Sequence, residues 1–148
     1  MSKIIILDSI RSMQNVGAIF RNSDGAGFDR IILTGHTPYP PRNDIKKTAL
    51  GAETFIDWEY YNDIFEILEE LKSTGYKIFS VELDERSVNY TDLFHEEHEN
   101  VVLVMGNEVD GVDKRILDMS DKIIVIPMRG QKESLNVSVA AGIVMYAV

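Results

Sequence analysis

Short runs of β-branched and aliphatic residues alternate along the chain with amphipathic stretches, the order that a mostly parallel sheet covered by helices requires. The runs predict strands at Lys3 to Leu7, Arg30 to Leu33, Lys77 to Val81, Val101 to Met105 and Lys122 to Ile126. The clearest helix is Asn62 to Lys72, where Ile64, Ile67, Leu68 and Leu71 form one stripe and Glu66, Glu69 and Glu70 lie away from it. Gly75 follows as a natural terminator. Further helices are expected over Val16 to Ala26, over Asp44 to Leu50 and, briefly, after Gly111. Pro38, Pro40 and Pro41 make Thr37 to Arg42 a stiff, non-helical loop. With no repeat, linker or low-complexity tract, residues 1–148 read as a single α/β domain with helices on both faces of the sheet.

The last element breaks the amphipathic rule. From Leu135 to Val148 only Asn136 and Ser138 carry polar side chains other than the terminal Tyr146 hydroxyl, so a helix here is apolar on every face. Too short to span a bilayer, it must be buried, and a terminal helix in a small domain has no second layer of its own to cover its outer face. A second copy of the chain supplies one, and a homodimer built through this helix is expected.

Composition narrows the class. The chain has 148 residues with 45% hydrophobic and 26% charged, as in an ordinary globular domain with one core. The absence of cysteine excludes disulfides, cysteine nucleophiles and thiolate metal sites. Ile4 to Leu7 is too short for a signal-peptide core and no run approaches the roughly 18 residues of a membrane span, which points to a cytoplasmic protein. The net charge of −9 argues at first against a nucleic-acid partner. Its distribution alters that reading: residues 53–99 hold 14 acids and 3 bases, whereas residues 1–52 hold 7 bases and 4 acids, with Arg42, Lys46 and Lys47 close together. A mildly basic face for RNA is compatible with this polarity, as is a plain acidic, solvated helix with scattered lysines.

Three segments carry the candidate chemistry. In Asn15-Val-Gly-Ala-Ile-Phe-Arg21, a helix capped by Asn15 would set Arg21 among Gly17, Ala18, Asp24 and Gly25. Such a ledge lets a phosphate-bearing ligand or another chain approach the guanidinium; the bland alternative is a surface Arg21–Asp24 pair. Gly25 and Gly27 lack the third glycine of a dinucleotide fingerprint. The second segment, Gly106-Asn-Glu-Val-Asp-Gly111, lies at the carboxyl end of an expected buried strand, where open α/β sheets bind ligands. Glu108 in that turn serves either a ribose or amine, or the cap of the following helix. The third, Ile126-Pro-Met128-Arg-Gly-Gln-Lys-Glu-Ser134-Leu-Asn136, leads into the apolar helix with Ser134 as expected N-cap and Arg129 and Lys132 in its loop. An amide such as that of Asn136 on an apolar helix needs a hydrogen-bond partner. His95 and His98 sit in an acidic, loop-like stretch and make a poor metal site; none is expected.

Together the three segments resemble the signature motifs of the SpoU/TrmH family, SPOUT-class enzymes that transfer a methyl group from S-adenosylmethionine to a ribose 2′-hydroxyl of RNA. The resemblance runs from Leu7 to Tyr146 and rests on Asn15 to Arg21, Gly106 to Gly111, and Ile126 to Met128 with Ser134 to Ala140. It implies an α/β fold with a carboxyl-terminal trefoil knot, which no periodicity argument would propose. It also implies that Val81, Glu82, Gly106, Ile126, Met128, Ser134 and Leu135 hold S-adenosylmethionine, and that Asn15, Glu108, Ser134 and Asn136 organise the site. Arg21 would act on RNA across a dimer, as base or as phosphate clamp; independently of the resemblance, the basic residues Arg42, Lys46, Arg129 and Lys132 are the candidates for further RNA contacts. The first strand starts at once, as in the minimal single-domain members, while the wording of the first motif is closer to the larger transfer RNA enzymes, so transfer RNA is the expected substrate. The competing reading is a non-catalytic module that binds S-adenosylmethionine or only dimerises, brought to RNA by a partner.

Overall fold

The structure, a computed structural model, describes residues Met1–Val148. Seven strands form one all-parallel sheet: β1 (Ser2–Asp8), β2 (Arg30–Thr34), β3 (Asp57–Tyr61), β4 (Lys77–Val81), β5 (Val88–Asn89), β6 (Asn100–Met105) and β7 (Lys122–Val125), in the spatial order β3-β2-β1-β6-β4-β7-β5. Helices α1 (Met13–Ala26), α2 (Asn43–Ala49), α3 (Ile64–Ser73), α4 (Lys114–Met119) and α5 (Val137–Met145) connect and cover it. β1 and β6 pair in register from Ser2 opposite Asn100 to Leu7 opposite Met105, and both are buried through their centres, Ile4–Leu7 and Val101–Met105. This is why they read as continuous apolar runs and not as alternating ones.

Strand alternation divides the core in two. Ile5, Leu7, Ile31, Leu33, Leu103 and Met105 point to the face covered by α1, α2 and α5. Ile4, Ile6, Ile32, Val102 and Val104 point to the face covered by α3 and α4, where the Ile64, Ile67, Leu68, Leu71 stripe packs as its spacing required. Helices therefore lie on both faces, as expected.

Several expected boundaries move. Helix α1 starts at Met13, not Val16, and its N-cap is Ser12, whose hydroxyl accepts from the Asn15 amide at 3.2 Å. Helix α5 starts at Val137, not Leu135, and is capped by Asn136, not Ser134; the Asn136 side chain accepts from the Ser138 and Val139 amides. Both corrections have one cause, that two serviceable cap residues stood within a turn of each other. Strands β3 and β5 escaped the sequence reading because they are edges. Asp57-Trp-Glu-Tyr-Tyr61 is half-exposed and charged at two of five positions, and β5 has two residues. The Thr37–Arg42 loop is non-helical, with Pro40–Pro41 cis. No helix is long and apolar enough to cross a membrane.

Candidate active site

A cavity of about 620 Å³ opens at the carboxyl ends of β4, β6 and β7, within the volume range of small-molecule and cofactor sites. Its apolar wall comes from Val81, Met105, Ile124, Ile126, Met128 and Leu135, and its polar rim from Glu82, Asn107, Glu108, Asp110, Glu133, Ser134 and Asn136. No lysine or arginine lines it. A partly apolar lining with four carboxylates and no base suits a ligand that joins a flat apolar ring to a positive charge.

The loop after β6 is shaped by contacts that leave no room for side chains. A Cβ on Gly106 would strike the Gly111 carbonyl group and the Val112 amide, and a Cβ on Gly111, at φ 70°, would strike the Glu82 carboxylate. Glu82 accepts from the Leu83 amide at 2.9 Å and the Val112 amide at 3.0 Å, so it ties the loop after β4 to the loop after β6. Asn107 accepts from the Val109 and Asp110 amides at 2.8 and 3.0 Å and donates to the Ser9 carbonyl at 2.7 Å. Ser9 sits at φ 52°, a costly left-handed geometry for a residue other than glycine. Its bonds to Thr34, His36 and Asn107 hold it there.

Glu108 does not cap the helix that follows; Asp113 does, accepting from the Arg115 amide. The Glu108 carboxylate instead accepts from the Arg11 and Ser12 amides, both at 3.4 Å, and anchors the second motif to the entry of α1. Asn136 donates from Nδ2 to Asn15 Oδ1 at 3.2 Å, which joins the third motif to the first. The partner demanded by the Asn136 amide is thus Asn15, and Asn136 itself is exposed.

The expected site residues fall into two groups. Val81, Glu82, Gly106, Glu108, Ile126, Met128, Ser134, Leu135 and Asn136 line the cavity, with Asn15 bonded at its edge. Arg21, Arg42, Lys46, Arg129 and Lys132 do not. Arg21 lies six residues beyond Asn15, roughly 9 Å further along α1. It borders a separate hollow beside Asn22, Lys47, Thr48 and Tyr146. The small-residue ledge expected around it is open in part: Ala18 and Gly25 line this hollow with Arg21, whereas a Cβ on Gly17 would collide with Thr48 and the Ile45 carbonyl of α2, and one on Gly25 would lie 2.8 Å from the Tyr146 hydroxyl. The Arg21–Asp24 pair is also absent, and the six ion pairs of the chain all lie elsewhere. His98 bonds the Leu93 carbonyl at 2.8 Å and packs edge-on against Phe79, and no cluster of three metal-ligating side chains is present.

Sequence reading missed Asn107, Asp110 and Glu133. The signal for Asn107 was available, since asparagine at the start of a turn such as Asn107-Glu-Val-Asp-Gly111 is a common side-chain turn former.

Residues 2–146 match the SpoU rRNA Methylase family. The chain belongs to this family. The 23S rRNA (guanosine(2553)-2′-O)-methyltransferase of Bacillus subtilis is 31% identical over 97% of this chain and 56% of its own length. The tRNA (guanosine(18)-2′-O)-methyltransferase of Aquifex aeolicus is 33% identical over 97% of this chain and 66% of its own. Among solved structures, the AdoMet-bound rRNA methyltransferase of Sinorhizobium meliloti superposes with a TM-score of 0.91 at 28% identity, covering 99% of this chain and 55% of that one. The A. aeolicus TrmH/SpoU tRNA modifying enzyme gives 0.87 at 32% identity, covering 99% and 73%. This SpoU chain thus spans little more than half the length of several relatives it matches, and its cavity is lined by the second and third motif segments, with Asn15 of the first bonded to Asn136 at the edge.

Proposed function

We propose that the protein is an S-adenosylmethionine-dependent RNA methyltransferase acting on a ribose 2′-hydroxyl, with transfer RNA as the substrate to test first. The carrying observation is the cavity: the second and third motif segments line it at the strand ends, the first is tied to its edge through Asn15, and the lining combines an apolar wall with four carboxylates and no base. S-adenosylmethionine supplies a methyl group already activated on a sulfonium. The chain's task is then to align the attacking oxygen and manage its proton. Val81, Ile126, Met128 and Leu135 would give the adenine ring an apolar bed, in a cavity whose wall is shaped by the close approach of Gly106 to Gly111. Glu82, with further lone pairs free, suits a ribose hydroxyl, and the carboxylates around it suit the ligand's positive charge.

Arg21 lies outside the cavity of its own chain, so we infer a homodimer in which the partner's Arg21 is brought to the RNA. Helix α5 supports this reading. Ala141, Val144 and Met145 are buried, whereas Val139 and Tyr146 on its outer side remain 50% and 66% exposed. An arginine is a poor proton acceptor at neutral pH, so clamping a phosphate and stabilising the developing alkoxide is its better-supported role. The carboxyl-terminal knot also belongs to this reading. What supports it is the return of the chain from β7, beyond β4 and β6 in the sheet, to bring Asn136 to Asn15 of α1. A cytoplasmic location goes with an RNA substrate.

The deciding assay is transfer of labelled methyl from S-adenosylmethionine into total transfer RNA and, separately, ribosomal RNA, with wild type and Arg21→Ala. Alkali-resistant label in one pool, lost with Arg21→Ala, is the expected result. Calorimetric cofactor binding with no label in either pool would replace it with a non-catalytic binding module, the reading that the −9 charge favours.

A further inference from the structure

At the β3 edge of the sheet three aromatic rings form a block that the chemistry of the cavity does not use. Tyr39 stacks on Trp58 with ring centroids 5.7 Å apart and planes 26° apart, and meets Tyr60 at 4.8 Å with the rings tilted by 43°. Tyr60 is anchored by its hydroxyl to the Gly35 carbonyl at 2.7 Å, and Trp58 is half-buried against the core beneath α1 and α2. Tyr39 is thus the outermost ring of a braced stack, 45% exposed. A fixed aromatic face of this kind is costly to leave in water and is suited to stack another planar group.

The chain that follows it points to the planar group. Arg42, three residues beyond Tyr39, and Lys46, one turn into α2, are exposed and engaged in no ion pair, whereas Lys47 is paired with Asp44 at 3.3 Å. On a chain of net charge −9, the segment Thr34–Leu50 holds three bases and one acid. An aromatic face beside unpaired cations is the combination that binds single-stranded nucleic acid, ring to base and cation to phosphate. Position agrees. Trp58 packs on the same core cluster as Val81 and Ile126 of the cavity wall, so block and cavity share one face of the sheet. The loop carrying Tyr39 leaves the carboxyl end of β2, the end at which the cavity opens. Three strand spacings separate β3 from β6, roughly 14 Å.

We propose that Tyr39, backed by Trp58 and Tyr60 and followed in the chain by the exposed Arg42 and Lys46, is a stacking platform for an unpaired base of the substrate RNA, a nucleotide flanking the one that enters the cavity. The platform rests on the RNA methyltransferase reading and adds to it a surface outside the three motifs.

Trp58 is the only tryptophan and reports on the platform directly. Total transfer RNA, and in a second series ribosomal RNA, is titrated into the full chain while Trp58 emission and RNA binding are followed. Wild type should show an emission change that saturates with binding. Tyr39→Leu should weaken RNA binding roughly 5- to 150-fold, the range of one lost base stack, while calorimetric affinity for S-adenosylmethionine is retained, and Tyr39→Phe should bind as wild type. Arg42→Gln, at an exposed side chain, should lower the salt dependence of RNA binding by about one ion. Ultraviolet crosslinking of wild type should label the peptide that contains Tyr39 or Trp58, a readout that needs no variant to fold. A folded Tyr39→Leu that binds RNA as tightly as wild type, or crosslinks confined to other peptides, overturns the platform and leaves the methyl-transfer assay untouched. A wild type that binds neither RNA pool overturns both.

Discussion

Gly17 has no space for even a methyl group, because Thr48 and the Ile45 carbonyl of α2 occupy the position a Cβ would take. Gly17→Ala should therefore destabilise the fold by about 1–3 kcal/mol, as overpacking does, despite alanine's better helix propensity, and a denaturant midpoint measures it. Asn136 combines two duties that substitution can separate. Asn136→Ala loses the cap of α5 and the bond to Asn15, and should cost about 1–2 kcal/mol. Asn136→Ser keeps a capping oxygen but not the amide to Asn15, so stability should return while methyl transfer stays impaired. Asp8 makes a third case. Burial raises its carboxyl above the usual range, against the lowering effect of the Thr34 hydroxyl bond at 2.7 Å. A carboxyl raised in the folded state binds its proton more tightly there than in the unfolded chain. Its contribution is most favourable below the unfolded value and is lost as pH rises through the folded one. Asp8→Asn, which can still accept from Thr34, should raise Tm at pH 7 relative to wild type, and the gain should shrink as the pH falls through the carboxylate range.

At the scale of elements, legibility followed burial. β1, β6, β4 and β2 are central strands and were plain as apolar runs, whereas β3 and β5 lie at the edges, where no such run is required. Amide exchange should reflect the same order: Ile4 to Leu7 and Val101 to Val104 protected longest, Val88 and Asn89 shortest, measured by hydrogen exchange with mass spectrometry. Helix α3 was read correctly because one face packs on Ile4, Ile6 and Ile32 while the other meets water, so its periodicity is the imprint of a two-sided environment. Helices α1 and α5 were located but their starts were not, since capping depends on which side-chain oxygen ends up facing a free amide and several candidates stood side by side.

At the scale of the molecule, charge is segregated. The α3 face carries exposed Glu66, Glu69 and Glu70, while Arg42, Lys46 and Lys47 lie on the side of α2. Oligomeric state is the property on which the proposed composite site depends. At micromolar concentration the chain is expected to sediment as a dimer; Val139→Arg, on the exposed side of α5, should shift it toward monomer and remove methyl transfer, with analytical ultracentrifugation and the transfer assay read in parallel.

Taken alone, the sequence determined the α/β class, the central strands, the amphipathic α3, the anomaly of an all-apolar last helix and the three segments that carry the family's motifs. These are local properties: each follows from the spacing of residues within about a dozen positions, and the physics of a strand face or helix stripe writes that spacing directly. Only the tertiary structure decided which distant groups meet. Asn15 bonds Asn136 across 121 positions, Glu108 holds the amides of Arg11 and Ser12, and Glu82 joins two loops through Val112. It also decided that Arg21 stands outside its own chain's cavity and that its glycines serve α2 and Tyr146. Such contacts depend on the path of the backbone through space, and a hydrogen bond between residues far apart in the chain leaves no periodic trace in either segment.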